Sequence, residues 1–202
     1  NENSKNKYGV IVTGEGEKAF VAGADIKEFN QIDEKSSIEF CKNGHYLFNL
    51  IENMSIPVLA LVNGYALGGG CELSLACHFR IATENAQFSQ PEINLGLIPG
   101  YGGTQRLTQI IGKSKALEMM LTANMVTSKE ALDFGLVNYV VKDFGTGLDK
   151  CNDIILTIKR KAPVAIKNVI KSVNNFYSAD ADGFEEEIKL FSECSSTKDF
   201  KE

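Results

Sequence analysis

The first third of the chain holds two short apolar runs rich in β-branched residues, at 8–13 (YGVIVT) and 56–63 (IPVLALVN), each closed by a glycine, Gly14 and Gly64. Both are continuous rather than alternating, which predicts buried strands. Between them Ile38, Cys41, His45, Phe48 and Ile51 mark one face of a helix, and Asp25 followed three residues later by Glu28 predicts a capping box at its start. Beyond a glycine-rich turn, residues 72–77 predict a helix, and 79–82 and 86–89 predict strands. The segment 90–103, QPEINLGLIPGYGG, is broken by Pro and Gly, with a new helix expected near Gly103. Thr127 with Glu130 predicts a second capping box, Gly135 a helix stop, and LVNYVV at 136–141 another strand. From about residue 146 the pattern is helical only; Asp182 with Glu185 caps the last helix, where Ile188 and Phe191 form an apolar pair. Strand, helix, strand, glycine turn, helix is the order of an α/β domain with crossover connections. No internal sequence repeat is visible.

Composition narrows the partners. The net charge of -5 argues against nucleic acid or an anionic membrane surface. Five cysteines without a C-x-x-C pair fit a reducing compartment, and only two histidines, distant in sequence, argue against a metal site. The apolar runs are shorter than a membrane span and NENSKNK is not a targeting peptide, so a soluble, membrane-free protein is expected.

Three familiar motifs fail on inspection. Gly112-Lys113-Ser114 would need a glycine where Leu107 stands to make a phosphate loop. Gly100, Gly102 and Gly103 do not complete a dinucleotide fingerprint because position 105 is Gln105. GGCEL around Cys71 lacks the final glycine of a nucleophile elbow, Leu73 taking its place.

What remains is ALGGGCELSLACHFRIA at 66–82, where three glycines run into an apolar helix. Each glycine costs about 0.5–1 kcal/mol against alanine within an element, so the run needs a reason. It is either a tight turn or a place where a ligand meets bare backbone N–H groups at a helix N-terminus. Glu72, three residues after Gly69, shares its face of the helix, and the helix dipole should keep it ionised. Glu92 follows Pro91 among apolar residues, which favours the neutral acid. A second loop of small residues, FVAGADIKE at 20–28, could aim another N–H at the same point and complete an oxyanion hole. Against this, glycine turns are usually only turns, Glu72 could simply complement the dipole, and Glu92 could be a surface carboxylate. The residues alone reach an acid–base enzyme acting on a carbonyl compound.

AFVAGADIKEF, IPVLALVNGYALGGGCELSLACHFRIA, AQFSQPEINLGLIPGYGGTQRL and EALDFGLVNYVV closely resemble, in order, the successive motifs of the crotonase (enoyl-CoA hydratase) superfamily. The resemblance implies an α/β spiral of ββα units with a core at 1–145 and a C-terminal helical trimerisation region at 146–202, assembling as a homotrimer or homohexamer. It implies an acyl-CoA thioester substrate and no separate cofactor, coenzyme A being part of the substrate. It implies an oxyanion hole from the N–H groups of Ala24 and Gly69, CoA contacts from Ala22, Ala24, Asp25, Ile26 and Lys27, and catalysis by Glu72 and Glu92. With both acid–base positions glutamate, the similarity favours a short-chain 2-enoyl-CoA hydratase. An isomerase, a thioester hydrolase or a catalytically silent acyl-CoA-binding module are the alternatives. Tyr101 would either narrow the acyl pocket or pack as a loop aromatic. The resemblance implies a further strand–helix region ahead of YGVIVTG and a short tail beyond Glu202, so either the sequence is a fragment of a longer chain or an open sheet edge is expected. Lysine-rich, arginine-poor composition suggests a bacterial, cytoplasmic protein, with the mitochondrial matrix second.

Overall fold

In the computed structural model, which describes residues 7–23, 33–177 and 182–200, the run YGVIVT becomes strand β1 (Val10–Thr13). The chain then turns into β2 (Ala19–Val21), and helix α1 follows at Glu34–Glu52. Asp33 caps α1: its carboxylate accepts from Ser36 N at 2.8 Å, and its own N–H donates to Ser36 Oγ at 2.9 Å. The cap expected from Asp25 and Glu28 lies outside the described residues. The same strand, strand, helix order recurs as β3 (Val58–Val62), β4 (Tyr65–Leu67) and α2 (Gly69–Ala76). It recurs again as β5 (Phe79–Thr83), β6 (Gln87–Ser89), a 3-10 helix at Pro91–Leu95 and α3 (Gly103–Ile111). After α4 (Lys113–Thr122) and β7 (Val126–Thr127), α5 (Ser128–Asp133) starts at the expected Thr127–Glu130 capping box. Strand β8 (Tyr139–Val141) is shorter than LVNYVV because Leu136 and Val137 turn back to Ala131 O. Helices α6 (Phe144–Lys159), α7 (Pro163–Asn175) and α8 (Gly183–Ser195) finish the described chain.

The first strands of the units line up as one parallel sheet, β1-β3-β5-β8. The second strands form another, β2-β4-β6, parallel, with β7 antiparallel at its side. This alternation is the expected ββα spiral. The hinge between first and second strands is held by asparagines: Asn63 Nδ2 donates to Gly14 O at 2.9 Å and Gly14 N returns a bond to Asn63 Oδ1 at 3.0 Å. One unit later, Asn85 Nδ2 reaches back to Glu17 O at 3.0 Å.

Strand β3 is buried over its whole length because both of its faces are covered. Val58, Ala60 and Val62 join Phe20, Ala66 and Phe88 in the core shared by the two sheets. Leu59 and Leu61, on the opposite face, pack with Ile81 and Cys151 beneath α6. That is the physical reason its sequence is a continuous apolar run. Cys71, Cys77 and Cys151 are buried core residues, whereas Cys41 and Cys194 are only half-buried, and all five are free thiols. Ile188 and Phe191 on α8 face solvent.

Candidate active site

Parallel pairing of β2 with β4 sets Ala19 beside Tyr65 and Val21 beside Ala66, so the strands end together. The residues that follow, Ala22–Gly23 and Gly68–Gly69, therefore meet at the mouth of one cavity. Two glycines of the triplet are required by this approach. Gly70 lies so close to β2 that a Cβ on it would stand 1.9 Å from Val21 O. Gly68 takes a positive φ of 52°, and a Cβ there would stand 2.8 Å from Glu92 Oε1. The opening helix leaves Gly69 N–H, at its first position, without an intrahelical acceptor, and the residue lines the cavity.

The cavity measures about 360 Å³ and is walled by Leu67, Pro91, Leu95, Leu97 and Ile98, with Glu72 and Glu92 as its carboxylates. Glu72 is 2% exposed. Its Oε1 accepts from Tyr101 N at 2.8 Å and Gly103 N at 2.7 Å. Oε2 has no protein donor among the described residues and is not sealed from the cavity. Contrary to the expectation from the helix dipole, the pKa of Glu72 is raised: the desolvation of a buried carboxylate outweighs the two backbone donors and the more distant Arg106. Glu92 follows expectation. Burial first, and the charge of Glu72 in addition, push it up to about 7.

Several contributors to the site carried no signal of their own in the sequence. Gln90, fully buried, holds its side-chain amide 3.1 Å from each carboxylate oxygen of Glu92, and the orientation that satisfies both groups turns the amide nitrogen toward them. Arg106, 6% exposed, donates to Glu52 Oε2 through Nε at 3.1 Å and Nη2 at 2.9 Å, and to Asn49 Oδ1 at 2.6 Å. Its Nη1 holds Tyr101 O at 3.0 Å, which in turn aims Tyr101 N at Glu72. A buried arginine amid TQRL is detectable only once the turn before it is known. Tyr101 lines the cavity, and its ring packs against Phe40 and Phe48 with centroids 5.0 and 5.6 Å away, as expected of a loop aromatic.

Of the residues expected at the site, Ala22, Gly69, Glu72 and Glu92 are brought to this one cavity. Ala24, Asp25, Ile26 and Lys27 lie outside the described residues. The arrangement offers a backbone donor and two carboxylates of raised pKa to one ligand.

The pattern that defines enoyl-CoA hydratase/isomerase matches residues 1–202. The chain belongs to that family. It is 43% identical to the short-chain-enoyl-CoA hydratase of Clostridium acetobutylicum, over all of this chain and 77% of that one. It is 42% identical to the crotonyl-CoA hydratase of Syntrophomonas wolfei, over 96% of this chain and 74% of that relative. Among solved structures, the enoyl-CoA hydratase of Bacillus anthracis superposes with a TM-score of 0.91 at 37% identity, covering all of this chain and 78% of the other.

Proposed function

We propose that this chain is a hydro-lyase that adds water across the C2=C3 bond of a short-chain 2-enoyl-CoA, giving the 3-hydroxyacyl-CoA. The observation that carries the reading is the convergence of Glu72, Glu92 and Gly69 on a single cavity. The names borne by its family relatives point the same way.

In this reading the thioester oxygen accepts from Gly69 N–H and from the N–H of Ala24. Charge drawn toward that oxygen makes C3 electrophilic and stabilises the enolate, each donor contributing about 2.7–4 kcal/mol. Glu72, its Oε1 occupied by Tyr101 and Gly103, takes a proton from water through Oε2, and the hydroxide adds to C3. Glu92, protonated near neutrality, gives its proton to C2. One proton leaves water and one enters carbon, so the pair ends with the same number it began with. Coenzyme A arrives with the substrate; Ala22, Ala24, Asp25, Ile26 and Lys27 are its proposed contacts, and no metal takes part in any step.

Exposed aromatic residues on the last helices, including Phe184 at 83% and Phe191 at 71%, support assembly of copies, as a homotrimer or a homohexamer. No helix among the described residues is long and apolar enough to cross a membrane, and the bacterial relatives support a cytoplasmic setting.

Incubation with crotonyl-CoA tests the activity. Hydration removes the absorbance of the conjugated enoyl thioester while leaving the thioester intact. Release of free CoA would mark a hydrolase, a shifted double bond an isomerase, and binding without turnover a silent module.

A further inference from the structure

A second cavity, of about 530 Å³, lies between the α2–β5 junction and helix α7 and shares no lining residue with the first. Its volume is in the range of small-molecule sites. Part of its lining is aliphatic, with Ile166, Val169 and Val173 from α7 and Leu75 and Ile110 from α2 and α3. Another part is cationic. Arg80, only 7% exposed, donates through Nε to Leu136 O at 2.7 Å and through Nη1 to Cys77 O at 2.6 Å and Ser74 O at 3.3 Å. Its Nη2 has no acceptor among the described residues, is not sealed off, and belongs to a side chain lining this cavity.

No carboxylate among the described residues pairs with Arg80. Glu52, the acidic residue of the lining, is engaged by Arg106 at 2.9 Å. His78 is spent as well: Val58 N donates to its Nδ1 at 2.8 Å, and its Nε2 lies 3.0 Å from Glu52 O, so it is held neutral. Lys161 adds a further positive charge at the lining. Backbone carbonyls supply Arg80 with partial negative charge only, and a buried guanidinium without an anion is costly, as its lowered pKa reflects.

We infer that this cavity binds an amphiphilic monocarboxylate, its head paired with Arg80 and its aliphatic tail laid along Ile166, Val169 and Val173 of α7. A carboxylate matches the guanidinium fork at Nη2, and the apolar wall accounts for the tail. The site is separate from the catalytic one and does not depend on the proposed reaction.

Calorimetric titration of the intact chain with decanoate, decanol and decylammonium tests this. Decanoate is expected to bind at least tenfold more tightly than decanol, and decylammonium not at all. Val169→Glu, at a position 62% exposed and outside the catalytic cavity, places a competing carboxylate on the wall and should weaken decanoate at least tenfold. Decanoate bound in the catalytic cavity would be insensitive to that change. Arg80→Met should give the same loss, provided its circular dichroism matches the parent; if it does not fold, Val169→Glu decides. Equal affinity for decanol and decanoate, or undiminished binding by Val169→Glu, would overturn the assignment.

Discussion

At the scale of single residues, the proposed chemistry rests on how two glutamates divide one proton. In that proposal forward hydration uses ionised Glu72 with protonated Glu92, and the reverse reaction uses the opposite arrangement, which contains the same number of protons. Both directions should therefore share one pH profile. Since Glu92 loses its proton near pH 7, kcat/KM should fall about tenfold per pH unit above that value, for crotonyl-CoA and for 3-hydroxybutyryl-CoA alike. Steady-state rates between pH 6 and 9 decide it, and a flat alkaline limb would remove Glu92 as the acid. Glu72→Gln and Glu92→Gln should each lower kcat by about 10²- to 10⁴-fold with little change in substrate affinity. Replacing Gln90 by Leu withdraws donors from both oxygens of Glu92, so its pKa should rise further and the alkaline limb should move to higher pH. A limb that stays in place would reduce Gln90 to packing.

Elements were legible in the sequence where one chemical signal dominated. Thr127 with Glu130 marked a helix start correctly, and the unbroken run of β3 announced a strand covered on both sides. Strands β2 and β4, three residues each, carry too few positions for any period to show. They exist because they pair with one another, a tertiary fact. Helix α1 is held by Asp33 and Ser36, a pair whose serine lacks the usual Glu or Gln at that position and so escapes the pattern. The glycines of ALGGG were visible as a cost without a visible cause. The cause is the neighbouring strand: Gly70→Ala forces a methyl against Val21 O and should lower stability by about 1–3 kcal/mol in denaturant unfolding. Activity should fall more than stability, because β2 and β4 deliver the two loops that meet at the cavity holding Glu72 and Glu92. A Gly70→Ala protein with parental stability and rate would show that the sheets tolerate separation there.

For the molecule as a whole, the repeat that builds the spiral is one of structure, with no counterpart in residue identity. The units share a strand, a hinge, a second strand and a following helix, and Asn63 and Asn85 reach back across the hinges with different partners. The site follows from that geometry: the second sheet brings the ends of β2 and β4 together, while Arg106 ties α1 to the turn that supplies Glu72 with its donors. The C-terminal helices end in the opposite condition, with apolar side chains turned outward. Phe176 is 78%, Phe184 83% and Phe191 71% exposed, a density of aromatic surface that a solitary chain rarely leaves wet. Burying such side chains yields roughly 1.5–3 kcal/mol each before the cost of association. If these residues form the contact between copies, Phe184→Lys with Phe191→Lys should reduce the sedimenting species from an assembly of several copies to a single chain of 22.1 kDa. The catalytic cavity is lined by other residues, so folding of the separated chain is expected to survive and can be followed by circular dichroism. A double variant that sediments like the parent would move the contact elsewhere on the surface.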